Sequence, residues 1–100
     1  MASHVLSPRA QEDLDGIWDY SAEKWGSDQA DDYIRLIREA IQTVADHPRR
    51  PLACDYIRPG YRKSSVGSHM IFFKSASSGI EVIRILHQSM DFKLHLKGDT

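Results

Sequence analysis

The sequence predicts an α+β domain in which a helical hairpin packs on an antiparallel sheet, in the order β-α-α-β-β-β-α with a short C-terminal helix. Three observations carry that prediction. The first half holds two long stretches whose apolar residues recur at spacings of three and four, as in helices that bury one face. The second half changes to β-branched and aromatic runs separated by Gly-Ser and Ser-Gly turns. One hundred residues with 41% hydrophobic content suit one compact domain spanning residues 1–100.

His4-Val5-Leu6 is a short apolar start, predicted as an edge strand. Ser7 then suits an N-cap and Pro8 the first helical position, where its missing N–H costs nothing. Glu12, Asp13 and Asp15 add negative charge near the positive end of this helix. Its apolar stripe is Ala10, Leu14, Ile17, Trp18, Ala22 and Trp25, and Gly26 is a left-handed stop. Both tryptophans are expected in the core or in a groove.

Ser27 or Asp28 is expected to cap the second helix, whose stripe is Ala30, Tyr33, Ile34, Ile37, Ile41 and Val44. It stops before Pro48. So short a link between the helices forces an antiparallel hairpin. Residues 48–60 contain three prolines and read as a connector carrying Arg49, Arg50 and Arg58.

Residues 61–66 and 69–74 read as strands around a Gly67-Ser68 turn, and a further turn leads to a final strand beginning near Gly79. Strict alternation along that strand places Ile80, Val82, Arg84 and Leu86 on one face, and Glu81, Ile83, Ile85 and His87 on the other. Both faces are largely apolar, so the strand is expected to be central. Arg84 then sits among apolar neighbours, and a guanidinium there requires acceptors or solvent. Residues 89–96 are predicted to begin a short helix that ends at Lys97-Gly98.

The charge is unevenly placed. Residues 1–47 hold four Lys/Arg against ten Asp/Glu, a net of −6, whereas residues 48–100 hold nine against four, a net of +5. The first half reads as an acidic scaffold and the second as a surface for an acidic partner. No apolar run approaches the ~20 residues of a membrane span, so no membrane association is expected. The single cysteine, Cys54, fits a reducing cytoplasm. No Cys-x-x-Cys or His-x-x-x-His spacing occurs, and neither metal nor cofactor is expected.

Two kinds of chemistry fit these residues. RNA cleavage would need an acid, a base and cations on the phosphate, for which His87, Arg62, Lys63 and Arg84 are candidates, with His95 and Lys93 behind them. Protein recognition would use an open apolar sheet face around Arg84, together with the groove of the helical hairpin. Such an open face predicts that the lone chain self-associates.

The element order, the Ser7-Pro8-Arg9-Ala10 helix start and the run from Gly79 through His87-Gln88-Ser89-Met90-Asp91 resemble the ParE toxins of the RelE/ParE superfamily. Gly60-Tyr61-Arg62 and residues 69–73 are similar to the family's middle strands. The resemblance covers nearly the whole chain. It implies the toxin of a type II toxin–antitoxin system, a cytoplasmic protein that inhibits DNA gyrase without being an enzyme. It also implies a ParD-like antitoxin, with which the toxin forms a hetero-oligomer and through which alone it meets operator DNA.

The related RelE branch instead cleaves messenger RNA on the ribosome, using basic residues and a Tyr or His near the C-terminus. Here the last tyrosine is Tyr61, which favours the gyrase branch. Carried onto this chain, the resemblance assigns Arg62, Arg84, His87, Met90, Asp91, Lys93 and His95 to the target-binding surface. It assigns Leu14, Ile17, Trp18, Tyr33, Ile37, Arg58, Tyr61 and Phe73 to the antitoxin-facing surface. Arg84→Ala is then expected to abolish toxicity with little effect on stability.

Overall fold

Ser7 starts the first helix in the predicted way. Its hydroxyl accepts the Ala10 N–H at 3.0 Å, and Pro8 follows as the first helical residue. The computed structural model describes residues 3–97. Its elements are β1 (Ser3–Leu6), α1 (Pro8–Trp25), α2 (Ser27–Asp46), β2 (Leu52–Ala53), β3 (Arg62–Val66), β4 (His69–Ala76), β5 (Gly79–His87) and α3 (Phe92–Lys97).

The hairpin turns on one residue. Gly26 has φ 96°, a conformation that side chains disfavour, and its N–H closes α1 on the Ala22 carbonyl at 2.9 Å. Its own carbonyl accepts the Ala30 N–H at 3.1 Å, so the same glycine begins α2. Ser27 is therefore already helical and Asp28 lies in the first turn; neither side chain caps the helix, contrary to expectation.

The sheet has the order β1-β5-β4-β3-β2. Strands β3, β4 and β5 form the predicted antiparallel meander. The sheet as a whole is mixed, however, because β1 pairs parallel to β5 along the register Ser3↔Gly79 to Leu6↔Val82. No tight turn links these two strands, and the long intervening path leaves their relative direction free. The connector also contributes a strand that the sequence pattern did not announce. Leu52 and Ala53 pair with Lys63 and Arg62, and Cys54 N–H meets the Tyr61 carbonyl at 2.8 Å to close the loop behind them.

Each face of the sheet has its own core. On one side Leu14, Ile17, Ile37, Ile41 and Val44 of the hairpin pack against Ile71, Phe73, Ile80, Val82 and Ile85. On the other, Phe72, Ile83 and Leu86 are covered by Cys54, Tyr61 and Leu96, with Ile57 and Phe92 packed around them. The rings of Phe72 and Phe92 meet edge-on, centroids 4.9 Å apart. Adjacent Phe72 and Phe73 thus point to opposite cores, and each burial contributes roughly 2–3 kcal/mol. The open apolar sheet face expected from the sequence is closed by α3 and the 54–61 loop, and with it goes the stated ground for self-association.

Strict alternation along β5 also fails. Phe73 pairs with Val82 but Phe72 pairs with Arg84, leaving Ile83 as an extra residue in the strand. Ile80, Val82 and Ile85 consequently share the helix-facing core, while Ile83 and Leu86 share the other. The bulge reassigns both Ile85 and Leu86 from the faces that simple parity predicts.

Candidate functional site

At the bulge the chain supplies the acceptor that Arg84 requires. Asp13, one turn into α1, receives Arg84 Nε at 2.8 Å and Nη2 at 3.0 Å. The same carboxylate takes the Ile85 N–H at 2.9 Å, a donor that the irregular ladder leaves available. Both side chains are mostly buried. Nearby, Ser7 donates its hydroxyl to the Ile83 carbonyl at 2.7 Å, and its N–H to the Val82 carbonyl at 2.9 Å. The start of α1 is therefore bolted to the irregular part of β5, and Arg84 is engaged from within the chain instead of awaiting an outside partner.

Beside this anchor lies a groove of about 930 Å3 between α1, α2 and the ends of β4 and β5. Tyr20, Trp25 and Leu36 line it while remaining 59%, 55% and 47% exposed. Three large apolar side chains along one trough are unusual for scattered surface residues and mark a contact surface. Tyr20 and Trp25 meet edge-on at 6.2 Å, and the Lys24 ammonium lies 5.4 and 5.3 Å from their ring centroids. Glu12, Asp13 and Asp32 also border the groove, so its floor is apolar and its charge mainly acidic.

The far end of the groove is polar. The Tyr33 hydroxyl lies 2.7 Å from His69 Nδ1 and accepts the Ser68 N–H at 3.1 Å. His69 and His87, register partners on β4 and β5, meet edge-on with centroids 5.3 Å apart. Burial, and secondarily the neighbouring His87, lower the pKa of His69, with Asp13 opposing them. His87 Nδ1 faces the Ser89 hydroxyl at 2.7 Å and accepts the Ser89 N–H at 3.1 Å.

The structure separates the residues expected to face an antitoxin. Leu14, Ile37 and Phe73 are at most 2% exposed and belong to the helix-facing core; no partner reaches them without unfolding. Tyr61 is buried in the other core, and Arg58 lies in the loop on that side, half-buried. Ile17 and Tyr33 do line the groove. Trp18 is half-buried and donates its indole N–H to Asp31 at 2.8 Å, tying α1 to α2. Trp25 is a groove residue and not a core one.

The residues expected on the target surface are spread more widely. Arg62 donates to the Pro51 carbonyl at 2.8 Å and holds the connector against β3. His87 and Met90 line the groove. Asp91 accepts the Leu94 N–H at 3.2 Å at the start of α3, on which His95 is half-buried. Lys93 is in the same helix, its side chain outside the described residues. Sequence reasoning missed Tyr20, Lys24, Leu36 and His69; the available signal was that Tyr20 and Leu36 are large apolar residues off the buried helix stripes.

The family described as "ParE toxin of type II toxin-antitoxin system, parDE" matches residues 5–92. The chain belongs to the ParE toxin family. It is 49% identical over 94 residues to Toxin ParE1 of Mycobacterium tuberculosis (strain CDC 1551 / Oshkosh), covering 93% of this chain and 96% of that protein. Toxin ParE1 of Caulobacter vibrioides is 43% identical over 96 residues, covering 96% and 99%. A solved structure described as the chromosomal ParDE TA system from P. aeruginosa superposes with a TM-score of 0.75 at 21% identity, over 87% of this chain and 96% of that one. That likeness is one of fold: a helical hairpin on a mixed sheet. The near-complete coverage places the groove, the Asp13–Arg84 anchor and the histidine end within the matched region.

Proposed function

We propose that this ParE-family toxin inhibits DNA gyrase by binding it, without enzymatic activity of its own. A ParD-like antitoxin silences it by laying a segment along the groove between α1, α2 and the ends of β4 and β5. The observation that carries the antitoxin half of the reading is the row of exposed Tyr20, Trp25 and Leu36 lining that groove. Aromatic anchors in a concave apolar site are what a protein segment buries most profitably. Ile17 and Tyr33 would share the contact, and both toxin and antitoxin would meet in the cytoplasm. The P. aeruginosa ParDE structure is consistent with such a pair.

Target binding is assigned to the segment from His87 to His95, including Met90, Asp91 and Lys93, where the groove gives way to α3. Arg84 contributes by holding the bulge that precedes it, and Arg62 by holding the connector. Gyrase is favoured over ribosome-dependent RNA cleavage because three of the candidate phosphate-binding cations, Arg62, Lys63 and Arg84, are each engaged elsewhere. Arg62 is tied to the Pro51 carbonyl, Lys63 donates to Tyr56 at 2.9 Å, and Arg84 is held by Asp13. In register, Arg62 pairs with Phe73 and Lys63 with Phe72, so the two cations sit on opposite faces of the sheet.

The test is a gyrase supercoiling and DNA-cleavage assay with purified chain, repeated after adding the antitoxin. Inhibition or trapped cleavage that the antitoxin relieves is the expected result. Unaffected gyrase, together with cleavage of messenger RNA on translating ribosomes, would replace this reading with the RelE-type one.

A further inference from the structure

We propose that His69 and His87 form a proton-sensitive latch at the strand end of the groove, closed while both rings are neutral and loosened when both are charged. Its bearing on partner release rests on the groove being the antitoxin site; the latch itself is a property of the free chain and is tested there.

The latch is built from three backbone segments that meet at these rings. The β3–β4 turn is held by Tyr33, whose hydroxyl accepts the Ser68 N–H at 3.1 Å and abuts Gly67, φ 55°. The end of β5 is held to the same turn by Gln88 N–H on the Ser68 carbonyl at 2.9 Å. The next turn closes through Met90 N–H on the His87 carbonyl at 2.9 Å. Ser68, His69, His87 and Met90 all line the groove, so any movement here changes its shape.

Protonation acts on each hydrogen bond in a definite direction. With His69 neutral and its proton on Nε2, the Tyr33 O–H donates to Nδ1 at 2.7 Å. Charged His69 carries a proton on Nδ1 and becomes the donor; the Tyr33 proton must then turn to the Val66 carbonyl, 3.5 Å away. Charged His87 likewise places an N–H opposite the Ser89 N–H that Nδ1 accepts at 3.1 Å in its neutral form. The two cations would face each other across 5.3 Å.

His69 faces Tyr33 of α2, His87 of β5, and Asp13 of α1, whose carboxylate is held by Arg84. Glu12 and Lys24 of α1 and Asp32 of α2 line the same groove. Asp13 favours a charged His69, but burial and His87 outweigh it. The site therefore suits a neutral His69, and acidification works against that arrangement.

The experiment is solution NMR on the free, isotope-labelled chain, following the imidazole signals and amide exchange from pH 7 to about pH 5. Protection is corrected for the intrinsic effect of pH. The expected result is that protection of Ser68, Gln88 and Ser89 falls about tenfold or more as the rings titrate, while Ile71 and Val82 stay protected. His87 is exposed, so His87→Phe folds and keeps a ring against His69; it is expected to remove most of the response. Unchanged protection through the ring titration, rings that do not titrate above about pH 5, an equal loss at Ile71 and Val82, or a full response in His87→Phe would each overturn the latch.

Discussion

Asp13 holds Arg84 by two hydrogen bonds, at 2.8 and 3.0 Å, while its carboxylate also takes the backbone N–H of Ile85 at 2.9 Å. One side chain on α1 thus satisfies both consequences of the β5 bulge: a cation among apolar neighbours and a stray backbone donor. Asp13→Ala removes two hydrogen bonds of Arg84 and the acceptor of the Ile85 N–H, and is expected to destabilise the fold by about 3 kcal/mol in urea melts. Arg84→Ala is expected to destabilise as well, reversing the sequence-based expectation of an unchanged fold. Loss of toxicity in that variant would therefore report folding unless stability is measured alongside.

The parallel pairing of β1 with β5 depends on one missing side chain. A Cβ at Gly79 would lie 1.7 Å from the Ser3 carbonyl oxygen, a backbone atom with nowhere to go. Gly79→Ala should detach β1, costing about 3 kcal/mol and abolishing amide protection along residues 3–6 before the rest of the sheet melts.

His69 gives stability a pH dependence whose sign follows from its lowered pKa. Between the folded value and the unfolded value near 6.5, the unfolded chain binds more protons, so stability rises with pH. The contribution is fully present above about pH 6.5 and is lost as pH falls through the folded pKa. His69→Gln should flatten this part of a plot of urea midpoint against pH.

Trp25 is exposed in the groove and supports little of the fold. Trp25→Ala is expected to shift stability by less than about 0.5 kcal/mol, yet weaken binding of the ParD-like antitoxin tenfold or more in calorimetry. Leu36→Asp tests the same wall of the groove from α2. Unchanged affinity in both would move the antitoxin elsewhere.

Cys54 is fully buried in the core beneath α3, and burial, then Asp55, raises its pKa against the opposing Lys63 and Arg62. A protonated thiol out of solvent reacts slowly. A thiol reagent should label the native chain orders of magnitude more slowly than the urea-unfolded chain, and Phe92→Ala, which thins the covering layer, should speed that labelling.

Much of this protein was determined locally. The Ser7-Pro8 start, the stop at Gly26, the two helix stripes and the β3–β4–β5 meander follow from capping chemistry, glycine's freedom and hydrophobic period, all of which act over a few residues. What only the tertiary structure decided depends on partners distant along the chain. The bulge at Ile83 leaves no mark in a β-branched run, because every residue there suits a strand; it emerges from pairing with Phe72 and Phe73. Asp13 reads as helix-start charge until α1 is laid over that bulge 71 residues later. The split within the stripes, between core Leu14 and Ile37 and groove-lining Trp25 and Tyr33, is likewise invisible in periodicity, since a helix stripe says which side is apolar and not how far the neighbouring layer extends. Local sequence sets the elements; where one layer ends and the groove begins is settled only when the layers meet.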